Sequence, residues 1–163
     1  MVLRAIRVVS NHCQRYVTGS IVRIQLKNFV TYDFVEFRPG PHLNMVIGPN
    51  GTGKSSIACA ICLGLNFPPS VSLLRDAGFF RQPTFAIQVL GRQDLNSFVK
   101  QTKQQGYIEI ELKGHPGKPN IVIRRELTEG SRTTSFTING KSAVGKDVNA
   151  TIAQLNIQVG NLW

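Results

Sequence analysis

One segment constrains this chain more than any other: Gly48-Pro49-Asn50-Gly51-Thr52-Gly53-Lys54-Ser55-Ser56. It has the form Gly, four residues, Gly-Lys-Ser, which average residue frequencies produce by chance in roughly 0.005 of chains of this length. Residues 43–47 before it read as a short apolar strand, and residues 55–65 after it read as a helix that is apolar nearly all round. Strand, glycine-rich turn and helix in that order predict an α/β fold of the P-loop NTPase type. The glycines open backbone conformations closed to other residues and let the main chain approach a phosphate closely. Successive N–H groups then form a concave anion site at the positive end of the helix. Lys54 is expected to reach the β- and γ-phosphates, and the Ser55 hydroxyl to ligate Mg²⁺. Asn50, Gly51, Thr52 and Gly53 would wrap the phosphates, with Ser56 facing the helix or the phosphate. ATP and Mg²⁺ are the expected cofactors.

Phosphoryl transfer also needs a carboxylate held beyond an apolar strand for Mg²⁺, and a group that orients the water. No run of four apolar residues followed by Asp occurs, and Asp33, Asp76, Asp94 and Asp147 all sit in polar or turn-like sequence. The sequence therefore reads as the binding half of a hydrolase without its hydrolytic half, and no complete catalytic set is expected in this chain.

Elsewhere the pattern favours strands. Val22, Ile24 and Leu26 alternate with Ile21, Arg23 and Gln25, and residues 34–37 read as a second strand. Ile108, Ile110 and Leu112 alternate with Tyr107, Glu109 and Glu111; residues 121–125 and 133–138 follow, with Asn139-Gly140 as a hairpin signal. Val148, Ile152 and Leu155 share one face of a closing helix. Residues 93–103 read as a short surface helix and residues 72–88 as an irregular insertion. The expected architecture is a lobe with a mixed sheet and peripheral antiparallel hairpins.

The chain of 163 residues carries 19 Lys+Arg against 9 Asp+Glu, a net charge of +10, which points to a polyanionic partner. No apolar run approaches the roughly 18 residues that span a bilayer, so no membrane partner is expected. Residues 1–18 read as a disordered basic leader; a mitochondrial presequence at residues 1–15 is the other reading. Cys59 and Cys62 form a C-x-x-C inside the apolar helix, with no second cysteine pair, and read as core rather than as a redox or zinc motif. Lys100, Lys103, Lys113, Lys118, Arg124, Arg125 and Arg132 are spread over the strand-rich half. They fit either a solvated face or a surface that meets duplex DNA through phosphates without reading sequence.

Several segments together carry a family resemblance: GSIVRIQLKNFVTYD at 19–33, PHLNMVIGPNGTGKSSIACAICLGL at 41–65, LGR at 90–92, SFVK at 97–100, residues 107–125, and LNIQVGNL at 155–162. They resemble the N-terminal part of the ATPase head of structural maintenance of chromosomes (SMC) proteins, in the branch that forms the SMC five–six DNA-repair complex. The resemblance implies an ATP-binding-cassette-type head lobe over residues 19–163, with ATP and Mg²⁺ held by Gly51, Gly53, Lys54, Ser55 and Ser56. It implies that Arg92, or less directly Arg75, reaches towards nucleotide, and that Asn28 and Tyr32 lie near the adenine side. It further implies double-stranded DNA, a second SMC head and the C-terminal half of the same head as partners. A nuclear, chromosomal role in repair by homologous recombination goes with it. Two departures stand out, the insertion at 72–88 and the end at Trp163, and they suggest an N-terminal fragment or a truncated reading frame. Another SMC-like or cassette-type ATPase subunit, or a non-catalytic DNA- or partner-binding module with a vestigial loop, remain the alternatives.

Overall fold

Alternation along residues 22–27 and 105–112 gives each strand one apolar and one polar or charged face, and such strands are stable only when stacked edge to edge over a shared core. The computed structural model describes residues 7–9, 15–66, 98–100, 102–129 and 135–157. Strand β1 is Arg7–Val9, β2 Ile21–Phe29, β3 Tyr32–Phe37 and β4 Met45–Ile47. Helix α1 spans Lys54–Gly64. Then come β5 Gln105–Leu112, β6 Ile121–Thr128, β7 Ser135–Ile138, β8 Lys141–Ala143 and helix α2 Gly145–Gln154.

Six strands form one sheet in the order β3-β2-β5-β6-β7-β8, while β1 and β4 form a separate pair. Every pairing among the described residues is antiparallel. Residues 7–9 fall inside the span read as a disordered leader; instead they form β1 along β4, with Val8 opposite Val46. Asn139 and Gly140 both take positive φ, 50° and 78°, as a two-residue hairpin turn demands.

The inner face of the sheet packs against α1 and α2. Ile24, Ile110 and Ile123 sit in one cross-strand row, and Leu26, Ile108, Arg125 and Phe136 in the next. From α1, Ile57, Cys59, Ala60 and Leu63 complete this core, and from α2 Val148 and Ile152, followed by Leu155. Burial pushes the Cys59 thiol pKa up to about 11, so at neutral pH it is a small apolar group.

Two expectations need correction here. Arg125, counted among the surface bases, is only 5% exposed: it donates to the Leu63 carbonyl at 2.7 Å and lies over the Phe136 ring. Its position in the inward row of β6 decides this, because period-2 geometry outranks side-chain polarity. Of the expected surface helix at 93–103, the described residues 98–100 and 102–103 form no α-helix, and Phe98 and Val99 pack inward instead. Phe98 is fully buried and stacks on Phe29 at 5.8 Å, and Val99 bridges to Phe29. The insertion at 72–88, Arg75 and Arg92 lie outside the described residues.

The outer face of the sheet is a balanced ionic lattice. Arg23 contacts Glu109 and Glu111 at 2.9 Å each, and Arg124 reaches Glu126 at 2.9 Å while lying over the Tyr107 ring. Lys100, another of the surface bases, is paired with Asp33 at 2.6 Å.

Candidate functional site

Met45–Ile47 leads directly into the glycine-rich loop, and Lys54 opens α1. Gly51 and Gly53 both adopt left-handed backbone, with φ of 81° and 94°, as the tight reversal between strand and helix requires. No acidic side chain stands in the first turn of α1 to compete for its N–H groups. A Cβ on Gly51 would meet nothing within 4 Å, so the loop mouth is open at that position.

The loop is braced from within. Lys54 Nζ donates to the carbonyls of Gly48 and Pro49, each at 2.7 Å, and the Thr52 hydroxyl donates to Pro49 at 2.8 Å. An ammonium has three donors. Two hold the loop, which leaves one donor and the full charge for a phosphate oxygen. Ser55 is partly exposed in the first turn of α1, whereas Ser56 is buried and its N–H bonds to the Gly53 carbonyl at 3.0 Å. Asn50 is exposed at the tip. The loop residues 50–56 therefore form one structural unit, and their chemistry fits an anion with a coordinated cation: main-chain N–H groups, one ammonium and one accessible hydroxyl.

Of the residues expected near the adenine, Asn28 has φ 49° and its side-chain amide donates to the Gln105 carbonyl at 2.7 Å. Tyr32 lies beneath the loop: it is fully buried, and its hydroxyl donates to the Gly53 carbonyl at 2.9 Å. Sequence reading did not foresee this contact with the loop itself; the pair Tyr32 and Gly53 has no local signature. Elsewhere a cleft of about 370 Å³ is lined by Ile24, Phe37, Pro41, Val46, Ile57 and Ile61, and no residue of the loop 48–56 borders it. Among the described residues no group of three His, Cys, Asp or Glu side chains could hold a metal, and no helix is long and apolar enough to cross a membrane.

A family model described as "AAA domain" matches residues 23–161. Structural maintenance of chromosomes protein 5 of Schizosaccharomyces pombe is 39% identical over 148 residues, covering 90% of this chain and 12% of that protein. The Arabidopsis thaliana protein of the same name is 35% identical over 148 residues, with 90% and 12% covered. The chain belongs to the AAA-domain family and is homologous to SMC head segments. A solved structure from work on ATP-driven dimerization and DNA-stimulated activation of SMC ATPases aligns with a TM-score of 0.68 at 18% identity, over 88% of this chain and 84% of that one. An Smc head domain with an extended coiled coil, bound to the C-terminal domain of ScpA from Pyrococcus furiosus, aligns at 0.57 and 18% identity over 85% and 33%. These structures establish the fold as that of the P-loop NTPase heads of SMC proteins. The SMC-type segment spans 12% of each of the two SMC relatives named above.

Proposed function

We propose that this chain is the nucleotide-binding part of an SMC head and takes up ATP with Mg²⁺ through residues 50–56. The observation that carries this reading is Lys54, whose ammonium is held by two carbonyls of its own loop at 2.7 Å while its charge stays at the N-terminus of α1. Ser55 would ligate Mg²⁺, which supplies a bridge between the phosphate oxygens when bound. Arg92 would reach the nucleotide from outside the loop.

The same reading extends to the assembly. Leu43, Met45 and Ile47, on and beside the strand that feeds the loop, are 85%, 57% and 51% exposed, an apolar surface that fits the C-terminal half of the head. That half would bring the carboxylate and water-orienting groups of hydrolysis, so the chain alone binds nucleotide without turning it over. A second head would close on the bound ATP. We place the parent protein in the SMC five–six complex, in the nucleus, in DNA repair by recombination and in chromosome maintenance.

Contact with duplex DNA would be made through phosphates. The outer sheet face is balanced in charge, so of the bases named above this contact falls to Lys103, before β5, and to Lys113 and Lys118 of the β5–β6 connection, which make no ion pair among the described residues. Titration of MgATP into the chain and into Lys54→Ala tests the central reading. Saturable binding lost in the variant supports it; equal affinity, or no binding by the parent chain, overturns it.

A further inference from the structure

The turn between β2 and β3 is strained and points at the phosphate loop. Phe29 pairs with Tyr32, so the connection is the two residues Val30 and Thr31. Val30 has φ 51°, a conformation that a β-branched residue adopts only when its surroundings enforce it. They do so here: the Val30 N–H donates to the Phe98 carbonyl and the Lys100 N–H to the Asn28 carbonyl, both at 2.8 Å. The turn presents Thr31 and Tyr32 to Gly53. A Cβ on Gly53 would stand 2.6 Å from the Tyr32 hydroxyl oxygen and 2.9 Å from Thr31 Oγ1.

We propose that Tyr32 is a positioning residue for the phosphate loop: its hydroxyl, donating to the Gly53 carbonyl, holds the left-handed turn that aims the first N–H groups of α1 at a bound phosphate. Gly53 is the last residue before α1, so its peptide plane sets where the following N–H groups point. With its carbonyl tied to a buried phenol, that plane cannot rotate freely. The ring is fully buried, and burial pushes the phenol pKa up to about 12, so the hydroxyl keeps its proton at any physiological pH. The glycine and the tyrosine are complementary, because any side chain at 53 would collide with the group that holds it. The proposal rests on the ATP-binding reading above and differs from a contact with the base: a residue acting on the loop is indifferent to what the phosphates are attached to.

The test is Tyr32→Phe, which keeps the ring and removes the donor. Calorimetric titrations with MgATP, MgGTP and magnesium tripolyphosphate are run on the parent chain, on Tyr32→Phe and on Lys54→Ala, beside amide hydrogen exchange on the ligand-free parent and Tyr32→Phe chains. The expected result is a loss of about threefold to tenfold in affinity in Tyr32→Phe, the same for every ligand that the parent binds, with faster exchange confined to residues 53–56. Unchanged affinity with unchanged exchange there makes Tyr32 a packing residue and overturns the proposal. A loss for MgATP that is absent with tripolyphosphate overturns it in favour of a base contact. Exchange that rises across β5 and β6 as well reports general destabilisation and overturns it too. If the parent chain binds none of the ligands, the nucleotide reading fails; localised exchange at 53–56 would then still support positioning of the loop.

Discussion

The Arg125 guanidinium donates to the Leu63 carbonyl at 2.7 Å and so ties the middle of β6 to the last turn of α1, the helix that the phosphate loop opens. A cation at a helix C-terminus complements the macrodipole, and here it does so from inside the core. Burial lowers the Arg125 pKa to about 10, so it remains a cation at neutral pH.

Arg125→Ala is expected to lower unfolding stability by about 2–4 kcal/mol, through the cavity left over Phe136 and the lost bond to Leu63. Arg125→Lys should recover less than half of that, since an ammonium lacks the planar fork that stacks on the ring. Urea unfolding of the three chains measures both.

Gly64 faces the sheet at the closest approach of α1. A Cβ there would lie 2.6 Å from Ile110 Cδ1 and 2.8 Å from Ile108 Cγ2. Alanine improves helix propensity by about 1 kcal/mol, but overpacking costs about 1–3 kcal/mol. Gly64→Ala is therefore expected to destabilise the chain by about 1 kcal/mol, read from the denaturation midpoint.

Acid should weaken the sheet through its outer face. Hydrogen bonds from Asn120 and Arg23 hold the Glu111 pKa below its ordinary value of 4.5, and bonds from Gln25 and Arg38 do the same for Glu36. A carboxylate with a lowered folded-state pKa contributes stability above its unfolded value and loses it as pH falls through the folded value. The melting temperature is expected to hold between pH 7 and about pH 5 and to drop below about pH 4.5. In Glu111→Gln the drop should be shallower.

Removing the loop lysine should act on binding and leave the fold intact. Lys54→Ala deletes a charge-assisted contact of about 1.5–3 kcal/mol, so MgATP affinity is expected to fall about tenfold to a hundredfold or more. Far-UV circular dichroism should stay unchanged, because among the described residues Lys54 bonds only to carbonyls of its own loop.

DNA affinity, measured by fluorescence anisotropy on a random duplex, should fall linearly with log salt. Lys113→Ala and Lys118→Ala should each lower that slope by about 1, whereas Arg124→Ala, at a residue already engaged by Glu109 and Glu126, should barely change it.

Much of this was legible in the residues. The alternation in 108–112 and 121–125 reports which side of each strand is buried, and Asn139-Gly140 names its own turn. Lys54 and the glycines of the loop carry their role in local chemistry. By contrast, Phe98 and Val99 lay in a stretch read as a surface helix because nothing near them in sequence indicates Phe29, about seventy residues away, as their partner.

The sequence by itself determined the strand, loop and helix of the phosphate site and the inward rows of the sheet, because these depend on backbone chemistry and on periods of two to four residues. Only the tertiary structure decided which groups satisfy Arg125 inside the core, the Leu63 carbonyl and the Phe136 ring, and that Tyr32 is a brace under Gly53. Both outcomes depend on groups that meet across the fold, Arg125 with Leu63 and Tyr32 with Gly53, and a buried polar group takes its role from the partner that satisfies it.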